Sequence, residues 1–231
     1  NLGLPISVDP VKGLDIQIHA VVLENSTEQV THVKCGIRCS STAFKTDHFS
    51  AVLEIKNVDQ IEGQKLDKNN LKKISIDIPR LHSLLFQGPT FKKFAEVYQF
   101  SSHDFVFNPL KESSQSYLSK AYSESKNRSF VLGDPYLRDS LLQAIGAMNL
   151  KFESLPIACK SWKIAVSKID SCQTVVSNSS RDEAKKEVLG SVECFDENGI
   201  LVEKLDTVVN RVVRLKPEDP SPEELVSVQK I

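Results

Sequence analysis

One stretch of this chain keeps a helical period over about four turns: GDPYLRDSLLQAIGAM, residues 133–148. Leu137, Leu141, Ile145 and Met148 fall on one stripe. Apolar residues at three- and four-residue intervals mark a helix that buries one face. Asp134 suits the N-cap, where its carboxylate can accept from the free amides of the first turn. Pro135 suits the first helical position, which needs no amide donor. Asn149 and Pro156 bracket the end. Most of the remaining apolar pattern has period two. A chain with one long helix and many strands is read as α+β, an antiparallel sheet packed against that helix.

The strand pattern opens with LDIQIHAVVL (14–23), where Leu14, Ile16, Ile18, Ala20 and Val22 alternate with Asp15, Gln17 and His19. Such alternation marks a half-buried strand. The polar stretch 24–29 is a turn, and 30–40 and 44–55 are further strands. Residues 58–78 are charged and aperiodic and read as a linker. A short helix over 78–85 is halted by Gly88-Pro89. Strands are predicted over 91–100, 104–110 and 114–123, and after the long helix over 161–169, 172–178, 184–195 and 200–215. Asp196-Glu197-Asn198-Gly199 makes a tight hairpin, since Asn-Gly takes positive φ readily. The proline-bearing tail, 216–231, ends in a short helix.

Composition removes several function classes. Lysine and arginine (29) nearly balance aspartate and glutamate (30), so no basic stripe is available for a nucleic-acid backbone. No apolar run approaches the roughly 20 residues of a membrane span. The five cysteines are odd in number and scattered, which fits a reducing cytoplasm better than a disulfide framework. Cys35 and Cys39 share a strand face but lack the CxxC or paired-His pattern of a metal site, and read as small buried side chains. The chain begins at Asn1 without Met, so an upstream segment is expected. GxSxG, GxxxxGK[ST] and HExxH are absent. Of the histidines, His19 and His32 read as solvated, His48 as a structural hydrogen-bonder, and His82 and His103 as lying in a short helix and a turn. None has a partner at ligand or triad spacing.

Asp139 and Gln143 lie four apart, on one helical face and within reach of each other. They flank the apolar stripe closely enough to be half-buried. A half-buried carboxyl has a raised pKa and can keep its proton, as a general acid must. The same spacing is also met on a solvated helix face, and spacing alone leaves both readings open.

The surrounding motifs add a resemblance. The helix GDPYLRDSLLQA, the preceding LFQGPTF (85–91) and the following LPIACKSWKI (155–164) resemble, in order and spacing, the second half of a polyketide-synthase dehydratase domain. PISV, LDIQIHAVV and TAFKTDHFSAVLEI look like closing strands of that family's first half. VLGDPYLRD and the DHF strand look closest to iterative bacterial synthases of the enediyne, heterocyst-glycolipid and polyunsaturated-fatty-acid types. The resemblance implies a double hot-dog fold, two long helices each wrapped by an antiparallel sheet. Here the second hot dog would be complete over 79–215, with its DxxxQ helix, and the first would be present only as the strands of 1–57.

It also implies an activity. In the family a first-half His removes the α-proton of a β-hydroxyacyl thioester, and the second-half Asp protonates the departing hydroxyl. Asp139 matches the acid and Gln143 the residue that orients it. Gly88, Pro89, Phe91, Leu155 and Pro156 match positions along the substrate tunnel. The substrate would arrive on the phosphopantetheine of an acyl carrier protein, within a multidomain synthase, and no metal or redox cofactor is implied. The family's HxxxGxxxxP element has no match, so the catalytic His is expected upstream. Something must then cover the strands over 14–55: the upstream half of the domain or a second chain, with a homodimer among the possibilities. The alternatives are a non-catalytic hot dog that binds an acyl chain or scaffolds its neighbours, a product-template cyclase and a hot-dog thioesterase.

Overall fold

The chain divides between Val58 and Asp59 into two units, each with its own antiparallel sheet. The computed structural model describes residues 2–56, 61–110, 133–165 and 171–226. The strand predicted over 114–123 lies outside these residues, as does the end of the one predicted over 161–169.

The first unit is a three-stranded meander of β1 (Ile16–Val22), β2 (Val30–Cys39) and β3 (Phe49–Lys56). Its register sets Ile18 against Ile37 and Ile37 against Phe49, and Ala20 against Cys35 and Cys35 against Ala51. Period two then gathers most apolar residues of the three strands on one face, with Val21 and Val52 on the other. Among the described residues of this unit nothing covers that face: Ile18 is 75% exposed. Among the described residues of this unit the single helical piece is the 3-10 turn Ser40–Thr42. The third strand begins at Phe49 rather than at 44, because Ala43 (φ 50°) and Phe44 (φ 58°) take left-handed conformations that break an extended run.

All three histidines of this unit have partners; His32 Nε2, read as solvated, lies 3.6 Å from Glu54 Oε2. His48 is buried; its Nδ1 donates to the Leu4 carbonyl at 2.9 Å, and its Nε2 lies 3.0 Å from Cys39 Sγ. With Nδ1–H committed to a carbonyl, Nε2 of the neutral ring accepts from the thiol. His48 is thus the structural hydrogen-bonder expected. His19 corrects the sequence reading. It is not merely solvated but sits 2.9 Å from Asp47 Oδ1, which also accepts from Arg38 Nε at 2.5 Å.

The second unit holds α1 (Ile78–Leu84), β4 (Phe94–Phe100), β5 (Asp104–Pro109), α2 (Pro135–Ala147), β6 (Phe152–Ile164), β7 (Thr174–Asp182), β8 (Glu187–Phe195), β9 (Leu201–Leu215) and α3 (Pro222–Leu225). Its sheet runs β4-β5-β7-β8-β9-β6, every neighbour antiparallel. The α2 stripe seats on this sheet: Leu141, Ala144 and Ile145 are buried with Phe105, Val175 and Val188 in one core. The approach is close at Gly190 on β8, where an added Cβ would come within 2.7 Å of Ile145 Cδ1. A long helix on one face of an antiparallel sheet is the hot-dog arrangement.

β6 starts at Phe152, nine residues before the strand predicted at 161. Pro156 hid it, since proline inside a run argues against a strand. Among the described strands β6 lies at the sheet edge, paired with β9, and its register shifts between Pro156 and Ala158. An edge strand tolerates the missing amide donor. Residues 61–77, read as a linker, lie along this unit: Leu66 N donates to Gly199 O and Ile74 N to Val97 O. In the tail, Glu223 of α3 accepts from Ser102 N at 2.6 Å and Ser102 Oγ at 3.0 Å, pinning it to the β4–β5 turn.

Candidate active site

The start of α2 is fixed from two sides. Asp134 Oδ1 accepts from Tyr136 N at 2.9 Å, so the cap read from the sequence is formed. One turn on, Arg138 Nε and Nη2 donate to the two carboxylate oxygens of Glu203 on β9. Glu203 also accepts from Trp162 Nε1 of β6 at 2.6 Å. These bonds set the rotation of the helix about its axis. Asp139, the next residue, is thereby aimed away from the sheet core.

Asp139 is half-buried. Gln143 Nε2 donates to Asp139 Oδ2, and also to the Phe91 carbonyl at 3.2 Å. The Phe91 carbonyl can only accept, so the amide nitrogen must face both groups. Phe91 is held by the 3-10 turn Pro89–Phe91, closed by Phe91 N donating to Gly88 O at 3.0 Å. Its ring meets Tyr136 of α2 edge-on, 5.1 Å between centroids. The GPTF turn therefore reaches Asp139 through a chain of contacts: turn, Phe91 carbonyl, Gln143 amide, carboxyl. Burial pushes the Asp139 carboxyl above its usual range, and the Gln143 bond, which favours the charged form, opposes this only in part. The result is a fixed carboxyl that holds its proton more tightly than a free aspartate.

This carboxyl opens on a cavity of about 610 Å³, a volume in the range of small-molecule sites. One wall is the face of α2 bearing Asp139, Leu142, Gln143 and Gly146; another is the segment after α1 with Phe86 and Gly88; a third comes from β6 and β9. Of the tunnel positions named from sequence, Gly88, Phe91 and Pro156 line the cavity, and Pro89 and Leu155 are not in its lining. Strand alternation explains Leu155: Ser154 and Pro156 face the cavity, so Leu155 points the other way and is 41% exposed.

Among the polar lining residues that sequence reasoning missed are Ser154 of β6 and Asn210 of β9. Both are buried, and Ser154 Oγ and Asn210 Oδ1 have no hydrogen-bond partner among the described residues. No local pattern could have found them, because pairing across 56 positions brings them together. Among the described residues no histidine lines the cavity. His82 of α1 is buried and stacked on Phe94, 5.3 Å between ring centroids, and burial pushes its pKa down. No group of three or more His, Cys, Asp or Glu among the described residues is placed to hold a metal ion.

No protein-family model matches the chain, and no curated protein matches it. Solved structures do match. The dehydratase domain of PpsC from Mycobacterium tuberculosis, in complex with C12:1-CoA, superposes with a TM-score of 0.57 at 16% identity, covering 92% of this chain and 98% of that one. The dehydratase domain of a mycocerosic acid synthase-like polyketide synthase gives 0.58 at 13% identity, covering 84% and 67%. A trans-AT polyketide-synthase dehydratase domain from Brevibacillus brevis gives 0.55 at 17% identity, covering 86% and 70%. The chain thus has the fold that its motifs resemble, the hot-dog architecture of polyketide-synthase dehydratase domains. No helix among the described residues is long and apolar enough to cross a membrane.

Proposed function

We propose that this chain carries the acid half of a dehydratase acting on β-hydroxyacyl thioesters within a multidomain polyketide or fatty-acid synthase. The observation that carries the reading is the Asp139–Gln143–Phe91 arrangement: a carboxyl whose pKa burial raises, fixed by an amide and opening on the cavity. In the reaction a base removes the α-proton, the released electron pair forms the Cα–Cβ double bond, and the C–O bond breaks. The Asp139 carboxyl gives its proton to the leaving hydroxyl, which departs as water. Asp139 is left as a carboxylate and the base holds the α-proton. Transfer between them, directly or through water, restores the starting state. The base would be a histidine from a segment other than those described, and that segment or a second chain would cover the apolar face of the first unit. The thioester would be presented on the phosphopantetheine of an acyl carrier protein.

The test is turnover of a β-hydroxyacyl carrier-protein thioester by the synthase that contains this chain, read as loss of one water by mass spectrometry. Asp139→Asn, which keeps shape and removes the acid, should lower enoyl formation by about 10²–10⁴-fold. Unchanged turnover would refute the assignment. The absence of histidine from the described lining favours one second reading, a hot dog that binds acyl thioesters without dehydrating them. Binding with no water loss from the intact synthase would select it.

A further inference from the structure

The cavity face of α2 is interrupted at Gly146, which lies one turn after Leu142 and lines the cavity with it. Glycine inside a helix is less stable than alanine, because it gives up more backbone freedom on folding. Close packing is a common reason to keep one, as at Gly190, where an added Cβ would press on Ile145. Gly146 has no such reason: among the described residues an added Cβ would meet nothing within 4 Å. Its backbone needs no glycine either, since it lies inside the helix Pro135–Ala147 and is not among the residues of positive φ. Gly146 is only partly buried, so the space above it is open.

What occupies that space follows from its surroundings. Asp139 and Gly146 line the same cavity from one helix, with a rise of about 10 Å between them. A ligand that leaves Asp139 along the helix passes Leu142, then Gly146, with Leu84, Leu85 and Leu150 around it. Ser154 Oγ and Asn210 Oδ1 in the strand wall are buried away from solvent and offer such a ligand no bond. Arg214 and Lys216, the cations of the lining, are paired with Glu153 and Asp219. A pantetheine arm laid here would leave its amides without partners, at a cost that a hydrocarbon chain does not meet. The stretch from Leu142 to Leu150 therefore suits the acyl chain rather than the arm.

An extended chain covers about 10 Å in roughly eight bonds, at about 1.2 Å per bond. We propose that Gly146 is a specificity-determining residue for acyl-chain length. Its missing side chain lets the cavity take chains that run more than roughly eight bonds beyond the carbon that Asp139 serves. The substrate class is then a long-chain acyl thioester, of about eleven carbons or more. This rests on the reading of the cavity as an acyl-thioester site.

Binding tests it without turnover. Saturated acyl pantetheine thioesters, which have no hydroxyl to lose, are titrated into the full chain by calorimetry, one of about six carbons and one of about fourteen. The parent should bind the long chain at least about tenfold tighter, because the methylenes that pass Gly146 gain burial. Gly146→Leu, and the more flexible Gly146→Met, should each remove that advantage and leave the short chain's affinity unchanged. Gly146→Ala should melt at or above the parent, alanine being the better helix residue. A lower melting temperature would show that the glycine serves packing, and would overturn the proposal. Equal binding of the two ligands by the parent, or an advantage that survives both bulky substitutions, overturns the length role and leaves the acyl-site reading standing. Equal weakening of both ligands by those substitutions overturns it too, by assigning Gly146 to the shared pantetheine arm. If neither ligand binds the parent, the acyl-site reading falls and the proposal with it.

Discussion

Arg138 and Glu203 meet through two parallel hydrogen bonds, at 3.1 and 3.2 Å, that tie the first turns of α2 to β9. Their side chains are only 11% and 6% exposed. A buried pair of this kind adds little net stability over apolar residues, but breaking it leaves a stranded charge. Its weight here lies in orientation, since the neighbour of Arg138 is Asp139.

Arg138→Met should destabilise the second unit by about 3–5 kcal/mol at neutral pH. Burial, opposed by Arg138 and Trp162, raises the Glu203 carboxyl above its usual value. A carboxyl raised in the folded state binds its proton better there than in the unfolded chain. Its contribution to stability therefore falls as pH rises from the ordinary glutamate range through the folded pKa. Loss of the guanidinium raises that pKa further, so the deficit of the variant should shrink in acid. Denaturant titrations of both proteins across pH check this, and a deficit independent of pH would count against it.

Asp139 should titrate above the ordinary aspartate range in a carboxyl NMR experiment, because burial dominates its environment. Gln143→Ala removes the bond that favours the charged form and should move the titration higher still. Turnover should fall on the alkaline side as Asp139 loses its proton, with that limb shifted upward in the variant and the maximum rate reduced. A limb that stays in place would mean that Asp139 is not the acid.

Gly190→Ala should cost about 1–3 kcal/mol, the usual range for overpacking a core. The new methyl group would press on Ile145 Cδ1 and Cγ1, both 2.7 Å away, and on the Asn178 carbonyl at 3.1 Å. Ile145→Val alongside it should recover part of the loss. Thermal melts of the single and double variants supply the test, and two additive losses would show that these residues do not meet.

Asp47 is held at a pKa of about 2, against an ordinary 3.8, first by the Arg38 hydrogen bond and then by the one from His19. A carboxylate lowered in the folded state contributes stability that is fully present above the unfolded pKa. That contribution is lost as pH falls through the folded value, here between about 3.8 and about 2. Asp47→Asn should flatten the acid dependence of the first unit in this window. Arg38→Ala should raise the Asp47 titration more than His19→Ala does, and the reverse order would invert the assignment.

Much of this fold was legible because its signals are local. The Leu141-Ile145-Met148 stripe, the Asp134 cap and the alternation of 14–23 each lie within a few residues, and each element formed where it was read. The misreadings lie where backbone geometry or the sheet overrides the local pattern. Ala43 and Phe44 take left-handed φ with no glycine to announce it. Pro156 sits in a strand because that strand is an edge. Asp139 and Gln143 could be paired from spacing, but their tie to the Phe91 carbonyl spans 52 positions from Gln143 and needs the fold. His19 looked solvated because its partner, Asp47, lies 28 positions on, in the connection between β2 and β3.

The helix α2 divides its labour by face. Leu141, Ala144 and Ile145 belong to the sheet core, while Asp139, Leu142, Gln143 and Gly146 belong to the cavity. On the reading proposed above, substitutions of Asp139 and Gln143 on the second face should alter what is bound and which proton moves, while Leu142 also packs against the core. Such a scaffold can diverge in chemistry through a handful of positions on one side of a single helix while its architecture stands still, and an engineer could search those positions as a small library without first restabilising the protein.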